Sequence, residues 1–271
     1  KRAREFWKFE FVTIPYPDLE KLLRDATENE ELRNKCREDA DAYLSDSRVV
    51  VKTSREFIER AFLLTEVFRR LMREANADTM TVHNCMTTIM PVSQTTACLS
   101  LSLLNDEGYL AFCESDFVAI PAGILLHHVS GTPVFFCNPS FPHKGIVTVS
   151  HCTAPRMMDG KTLAPAAILT HYESDYGAAP KVEMAKGQAV TVIDPDFSGK
   201  RWLGFEGTIA DNPFFPICRT QLDLKIQGDW EQLLPEIRGF HWLLAYGSHS
   251  RSFGYAVRKV GLEWLSLADT R

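Results

Sequence analysis

A carboxylate at the end of an apolar run is the first candidate for chemistry in this chain. The run that begins at Tyr109 is short enough to be a buried strand, and it ends at Glu114. A helix-like run follows at once and stops near Gly131 and Pro133. In an open α/β sheet, ligands bind beyond the carboxyl ends of the strands. Glu114 is therefore a candidate for catalysis or metal binding, and the alternative is a carboxylate that stabilises the start of a helix.

Other polar side chains stand at or near the ends of predicted strands. Asn138 follows the run Val-Phe-Phe-Cys, and His151 ends the run Ile-Val-Thr-Val-Ser. An Asn-Pro step is otherwise simply a turn, and a single His at such a place is otherwise a hydrogen-bonded structural residue. Asp116 is expected in the first turn of the following helix, where its charge complements the helix dipole.

Two further histidines, His171 and His241, lie inside strand-like runs with apolar neighbours. Each one alone is typical of a hydrogen-bonded histidine in a core. Together with Glu114 they offer the nitrogen and oxygen ligands that suit Mn, Zn or Fe. Their spacings are long and match no short metal-binding motif, so the set stays open at this point.

Several functional classes are disfavoured by the sequence. There is no G-x-S-x-G, Walker A, G-x-G-x-x-G or H-E-x-x-H motif. The net charge is −5, and the basic residues form no stripe with interleaved aromatics, which disfavours nucleic acid as a partner. No apolar run approaches the roughly 20 residues that a membrane span needs. A small-molecule ligand is the remaining expectation.

The seven cysteines are odd in number, and none forms a C-x-x-C pair. Most of them lie in apolar, strand-like runs. This usage disfavours a disulfide framework or a structural zinc site and favours a reducing, cytoplasmic compartment.

The first part of the chain alternates predicted strands and helices, which indicates βαβ units and a parallel sheet. The predicted strands are 9–14, 49–51, 79–84, 109–113, 133–137 and 146–150. The predicted helices are 19–27, capped by Asp18, then 30–44, a helix behind the cap Ser54, 94–104, and the one that follows Glu114.

After about residue 165 the runs become short and β-rich, with Gly and Pro between them. They are 167–172, 188–194, 202–208, 221–226 and 240–246, with one short helix at 229–234. This pattern predicts an antiparallel barrel or sandwich. We therefore expect an α/β domain over 1–165 and an all-β domain over 166–271. The chain begins at Lys1 without an initiator Met, which is expected of a fragment.

Five segments together resemble one enzyme superfamily, the L-fucose and L-arabinose isomerases, and its shorter fucose isomerase-like branch in particular. They are Cys98-Leu-Ser-Leu-Ser-Leu-Leu-Asn-Asp-Glu-Gly108, Phe112-Cys-Glu-Ser-Asp, Phe136-Cys-Asn-Pro-Ser, Ser150-His-Cys-Thr-Ala-Pro155 and Thr170-His-Tyr-Glu-Ser. The resemblance extends from about residue 10 to about residue 260. It implies a Rossmann-like α/β domain followed by a C-terminal antiparallel β-barrel, with the family's N-terminal domain absent.

The resemblance also implies an activity and a set of site residues. These enzymes convert aldoses to ketoses through an enediol with a divalent metal, usually Mn²⁺. Glu114 resembles their metal-binding and catalytic Glu, and His241 resembles their C-terminal metal-binding His. His171 resembles a histidine that lines the site, and His151 is a further candidate for binding substrate. Asn138 stands where the fucose isomerases have an Asp that is both ligand and base.

We therefore expect an aldose–ketose isomerase acting on a pentose, deoxyhexose or modified sugar. Glu114 and Asn138 are its expected catalytic residues, and with His241 they are its expected metal ligands. The alternative is a non-catalytic relative that binds sugar or metal, because an amide at position 138 cannot take a proton. The resemblance further implies a homo-oligomer in the full-length protein.

Overall fold

The computed structural model describes residues 1–267. The helices of that range are α1 Arg2–Glu5, α2 Tyr16–Glu28, α3 Glu30–Leu44, α4 Arg55–Glu74, α5 Ile89–Ser93, α6 Ala97–Asp106, α7 Ile120–Ser130, α8 Leu233–Glu236 and α9 Ser250–Lys259. Its strands are β1 Val49–Val51, β2 Thr79–Thr81, β3 Leu110–Phe112, β4 Phe135–His143, β5 Ile146–His151, β6 Ala166–Leu169, β7 Ala179–Val182, β8 Ala189–Pro195, β9 Arg201–Asp211, β10 Thr220–Ile226, β11 Trp242–Tyr246 and β12 Glu263–Ser266.

Six antiparallel strands close into a β-barrel, as the β-rich pattern predicted. Their order is β10-β5-β4-β11-β8-β9, and β9 pairs again with β10 to complete the circle. The first half of β9 also carries β12 in parallel, outside the closed ring. Closure leaves no free edge among the six strands. Their apolar side chains, such as those of Phe135, Val149, Val192 and Leu222, are fully buried in one core cluster.

Apart from the β12–β9 pair at the barrel, parallel pairing among residues 1–267 is confined to two small sheets. β2 pairs in parallel with β3, and β1 pairs in parallel with β6, which in turn pairs antiparallel with β7. The chain is thus a mixed structure of helices and sheets with a barrel. The expected parallel-sheet, Rossmann-like domain is reduced to these two parallel pairs.

The strands before residue 165 and the strands after it do not form separate sheets. The two strands placed before it by sequence, β4 and β5, pair antiparallel and belong to the barrel. Conversely β6 and β7, which follow it, join β1 in a separate sheet. The expectation that β4 and β5 continue a parallel sheet is wrong. Their buried apolar runs suit a barrel wall as well as a parallel sheet, so composition alone could not distinguish the two.

Two local predictions near the N-terminus are wrong. Residues 9–14 form no strand; Phe9 packs on the core, and the ring of Phe11 meets that of Phe117 at 5.0 Å. Asp18 does not cap the next helix, because α2 begins two residues earlier behind Pro15, which fixes an extended conformation at the cap position. Asp18 lies instead in the first turn.

Two other helix predictions are confirmed. α3 spans Glu30–Leu44 as predicted. The Ser54 hydroxyl accepts a hydrogen bond from the Phe57 amide at 3.2 Å, so α4 begins behind the expected cap. The apolar side of α4 is buried against α2, α3 and α6. These helices cover the small parallel pair of β2 and β3, which carries the candidate site.

Helix α7 packs closely behind β3. A Cβ placed on Gly123 would lie 2.6 Å from the ring of Phe112, so only glycine allows this approach. The helix ends, as predicted, at Gly131 in the left-handed conformation. This packing fixes the segment 113–119 between β3 and α7 against the mouth of the barrel.

A buried carboxylate holds the loop that precedes β11. Asp194 in β8 accepts hydrogen bonds from the amides of Arg238 and Gly239, at 2.9 and 2.6 Å. Burial raises the pKa of this carboxyl to about 7, although the two amide donors act in the opposite direction. The loop it holds leads directly into His241.

We expect Asp194→Asn to remove a pH dependence of stability. Because the folded carboxyl keeps a proton that the unfolded chain releases, its contribution is fully present below about pH 4 and is lost as the pH rises through about 7. The free energy of unfolding of the wild type should therefore fall relative to that of the variant, by up to about 1.4 kcal/mol per pH unit. Urea unfolding of both proteins across this range measures the difference, and parallel profiles would refute it.

No helix among residues 1–267 combines the length and the apolar character needed to cross a membrane. All seven cysteines lie in the described part of the chain, and all are free.

Candidate metal centre

A strained turn at the end of β3 presents Glu114. Glu114 and Ser115 both have positive φ angles, of 65° and 49°, and neither is glycine. Such residues cost on the order of 1 kcal/mol each and persist where the surroundings fix them. Here Ser115 is fixed from β2: its amide donates to the Thr81 hydroxyl at 3.0 Å, and its own hydroxyl donates to the Val82 carbonyl at 3.0 Å. The parallel pair thus fixes the turn and leaves the Glu114 side chain half exposed.

Three adjacent barrel strands bring the other candidates to the same place. Asn138 in β4 is paired with Ser150 of β5, next to His151. On its other side, Cys137 is paired with Trp242 of β11, next to His241. The Asn138 amide donates to the Phe240 carbonyl at 3.3 Å, which leaves its oxygen as the atom able to ligate a metal. The barrel register therefore places residues 138, 151 and 241 at neighbouring positions on or beside three adjacent strands.

Glu114 contacts both buried imidazoles. Its Oε2 lies 3.2 Å from Nε2 of His241, and its Oε1 lies 3.6 Å from Nε2 of His151. The ring of Phe136 packs against both imidazoles, with centroid distances of 4.3 Å to His241 and 5.3 Å to His151, and the two imidazole centroids are 6.2 Å apart. The two oxygens of one carboxylate are thus directed to two different histidines.

Asp116 fixes the orientation of His241. Its Oδ2 lies 2.7 Å from Nδ1 of His241, and its Oδ1 accepts the Val118 amide at 2.8 Å, just before α7. A carboxylate on one ring nitrogen places the proton there and leaves the other nitrogen free to ligate a metal. His151 has a weaker support of the same kind, because its Nδ1 lies 2.9 Å from the Thr153 hydroxyl.

The Nε2 atom of His241 is the clearest indication of a missing ligand. It is buried, and within residues 1–267 it has no partner in hydrogen-bonding geometry, although the Glu114 carboxylate is near. A buried polar atom without a partner is costly unless something else binds it. A divalent cation fits this position, since a carboxylate oxygen and an imidazole nitrogen converge on it and a second carboxylate supports the imidazole.

The charges of the site are strongly coupled. The imidazoles of His151 and His241 hold the pKa of the Glu114 carboxyl well below its usual range, against the effect of burial. Burial lowers the pKa of His241, but Asp116 and Glu114 outweigh burial and raise it. Likewise, burial raises the pKa of Asp116, but the contact with His241 and the hydrogen bonds from the amides of Val118 and Ala119 together outweigh burial and lower it. A cation bound at Nε2 would replace the proton that these carboxylates otherwise favour on His241.

A second ligand set overlaps the first. One ligand atom each from Cys113, Glu114 and His151 lies within 4.8 Å of the others. Burial is the main cause that raises the pKa of the Cys113 thiol, so this set requires a metal able to displace a thiol proton. Both sets contain Glu114. The first set adds His241, and the second adds His151 and the Cys113 thiol.

Sequence reasoning named three residues whose side chains contact one another here, Glu114, His151 and His241. It also named Asn138, which lies on β4, the strand between β5 and β11. His171 lies in the loop after β6, where its Nδ1 lies 3.1 Å from the Ser174 hydroxyl and its amide donates to the Tyr176 carbonyl. Asp116 was expected only to complement a helix dipole, and its contact with His241 was missed. Cys113 was missed as a ligand, although its place beside Glu114 was a signal.

No family model matches the chain, and a search of the curated proteins returns no significant match. The resemblance to the fucose and arabinose isomerases therefore stays a prediction.

We expect Asp116→Asn to weaken metal binding by about 10- to 100-fold, the usual effect of losing the carboxylate behind a histidine ligand. The asparagine keeps the oxygen that accepts the Val118 amide, so the turn should be preserved. Titration with Mn²⁺ by calorimetry measures the affinity. Asp18→Asn, at an exposed carboxylate in the first turn of α2, is the control. Equal affinities for wild type and Asp116→Asn would contradict this role.

Proposed function

We propose that this chain is a metal-dependent aldose–ketose isomerase acting on a pentose, a deoxyhexose or a modified sugar. The observation that carries the proposal is the contact of Glu114 with the unpartnered Nε2 of His241, whose other nitrogen is held by Asp116. The resemblance of the surrounding segments to the isomerases adds the substrate class. We also propose that the helical part of the chain is a Rossmann-like α/β domain.

Glu114, His241 and the Asn138 oxygen are the proposed ligands of Mn²⁺ or another divalent cation. Bound there, such a cation supplies Lewis acidity that acidifies the C–H beside a sugar carbonyl and stabilises the enediolate charge. The half-exposed Glu114 lets a sugar approach from the solvent side, while the two histidines remain buried behind it.

Proton transfer between the two sugar carbons falls to the chain's own side chains. The depressed pKa of Glu114 keeps its carboxylate unprotonated at neutral pH, which is the form a general base needs, although a pKa this far below neutrality makes it a weak base. Its two oxygens have separate surroundings: Oε2 faces His241 and Oε1 faces His151. We assign Oε2 to metal binding and Oε1 to proton transfer, with His151 as the neighbouring group that stabilises the carboxylate or contacts a sugar hydroxyl.

A second candidate function is a non-catalytic relative that binds a sugar or a metal. The amide of Asn138 favours it, because this side chain is engaged with the Phe240 carbonyl and cannot take a proton. In this alternative a sugar or a metal binds near Glu114, but no proton is moved.

The test measures metal content first and isomerisation second. Purified protein is loaded with Mn²⁺, analysed by elemental analysis, and incubated with a panel of aldopentoses and deoxyhexoses while ketose formation is followed. Bound metal with ketose formation supports the isomerase. Bound metal without ketose formation, in both the wild type and Asn138→Asp, supports the non-catalytic alternative. Absence of metal refutes the isomerase, and sugar bound without metal supports the non-catalytic alternative.

The proposal includes a reducing, cytoplasmic compartment and a homo-oligomeric assembly of the full-length protein. The seven free cysteines support the first of these. Sedimentation of the full-length protein tests the second.

A further inference from the structure

Three cysteines lie together beside the candidate metal centre and have no part in it. Cys98 is the second residue of α6, Cys152 follows β5 directly, and Cys218 lies in the loop before β10. Cys98 and Cys152 are buried and pack as one small cluster, with Cys218 partly buried against them. Three separate elements thus bring three free thiols into contact.

Cys152 occupies the middle of this thiol cluster. Its thiol interacts with the thiols of both Cys98 and Cys218. The amide of Arg219, the residue after Cys218, donates to the Cys152 sulfur at 3.4 Å. This bond fixes the sulfur of Cys152 next to the backbone that carries Cys218. By contrast, Cys36 lies on α3, packed in the apolar core cluster of the helices.

Solvent exposure differs between Cys98 and Cys218, the two thiols on either side of Cys152. Cys98 is only 6% exposed and its neighbour Cys152 only 2%. Cys218 is partly exposed. A soluble reagent therefore meets Cys218 first, and a sulfur bound to Cys218 has Cys152 as its nearest partner from inside the protein. Exposure of one thiol with a second thiol behind it is the arrangement that thiol–disulfide exchange requires.

We propose that Cys218 and Cys152 form a thiol–disulfide exchange site for small disulfides of the glutathione class. The hydrogen bond with Cys152 and burial raise the pKa of the Cys218 thiol, so the attacking thiolate forms in small amount and the first step is slow. That Cys218 thiolate attacks one sulfur of oxidised glutathione. The glutathione S–S bond breaks, a Cys218–glutathione bond forms, and the first glutathione thiolate leaves and takes up a proton. The Cys152 sulfur, having lost its proton to solvent, then attacks Cys218, the mixed disulfide breaks, and the second glutathione leaves. Two protein thiols are oxidised and one glutathione disulfide is reduced to two thiols.

The disulfide between Cys152 and Cys218 would link the end of β5 to the loop before β10. Cys152 directly follows His151 in the chain. A disulfide at Cys152 would therefore form one peptide unit away from a residue of the candidate metal centre. The chemistry itself does not depend on a metal or on isomerase activity, so the proposal stands apart from the proposed function.

Peptide mapping of the wild-type protein tests the site directly. Reduced protein is incubated with oxidised glutathione, remaining thiols are blocked with iodoacetamide, and the protein is digested with trypsin. Cys152 then lies in peptide 145–156 and Cys218 in peptide 202–219, while Cys98 lies in the separate peptide 74–144. The expected product joins 145–156 to 202–219, and dithiothreitol releases it. A link to peptide 74–144, glutathione that stays on Cys218, or no reaction would each overturn the proposal.

Variants provide the matched comparison. Cys218→Ser should lose the linked peptide, whereas Cys36→Ala, which removes a thiol from the helical core, should form it as the wild type does. Formation of the link at an unchanged rate in Cys98→Ser is expected, because Cys98 takes no part. If Cys218→Ser fails to fold, the wild-type peptide map still decides the question.

Discussion

Glu114→Gln is expected to abolish metal binding and to reduce Mn²⁺-dependent isomerisation by about 10²- to 10⁴-fold, the range associated with loss of a general base. Glu114 is the residue shared by both possible ligand sets, and its carboxylate faces both imidazoles. The amide removes the negative charge and one acceptor while keeping the shape of the side chain. No other substitution at the site removes a ligand and the proposed base at once.

The fold should tolerate this substitution. The Glu114 side chain is half exposed, and the turn is held by Ser115 through its bonds to Thr81 and Val82. Circular dichroism and urea unfolding check that the barrel is intact. Glu20→Gln, at an exposed glutamate on α2, is the control for removing one carboxylate. Metal content and activity close to those of the wild type in Glu114→Gln would contradict the assignment.

The two histidines should differ strongly when each is replaced by glutamine. His241→Gln is expected to lower Mn²⁺ affinity by more than about 100-fold, the upper end of the effect of an outer-shell partner. His151→Gln should lower it by about tenfold or less on the same scale. The reason is that His241 has the shorter contact to Glu114, an unpartnered Nε2 and a carboxylate on Nδ1, whereas His151 is supported by the neutral Thr153 hydroxyl.

Calorimetric titration of both variants with Mn²⁺ and with Zn²⁺ measures this difference. The two substitutions are matched, because both imidazoles are about equally buried beside the same carboxylate. A larger loss in His151→Gln than in His241→Gln, above all for Zn²⁺, would indicate the set formed with Cys113 instead.

The sequence predicted elements best where local signals were strong. α3 and the start of α4 follow from helical periodicity and, for α4, from the Ser54 cap, which acts within a few residues. The β-rich runs 188–194, 202–208, 221–226 and 240–246 likewise predicted barrel strands, whereas the run 167–172 falls on β6, which lies in a separate sheet. The helix α9 and the strand β7 were not predicted, because their stability depends on packing against distant parts of the chain.

The assignment of β4 and β5 failed for a physical reason. Both are short apolar runs buried on the barrel wall, and a buried strand of a parallel sheet has the same composition. What decides between the two is the partner strand, β11 for β4 and β10 for β5, and these partners lie about 70 to 100 residues further along the chain.

The sequence identified several residues of the candidate site, but it could not predict which of them contact one another. Polar residues at strand ends pointed to Glu114 and His151 without any structure. Asn138 was named by the same argument, but it lies inside β4, which continues to His143. The role of Asp116 was not predictable, since its bond to His241 spans 125 residues. The contact of Cys152 with Cys218 likewise depends on the meeting of β5 and β10, so a count of cysteines could not reveal it.

The central claim is that Glu114 and His241 hold a divalent cation, and anomalous diffraction from crystals soaked in Mn²⁺ tests it most directly. We predict a single strong anomalous peak at about 2.0–2.3 Å from a Glu114 oxygen and from Nε2 of His241, with the Asn138 oxygen beside it. A peak bound by Cys113 and His151 without His241, or no peak near Glu114 at saturating Mn²⁺, would contradict the claim.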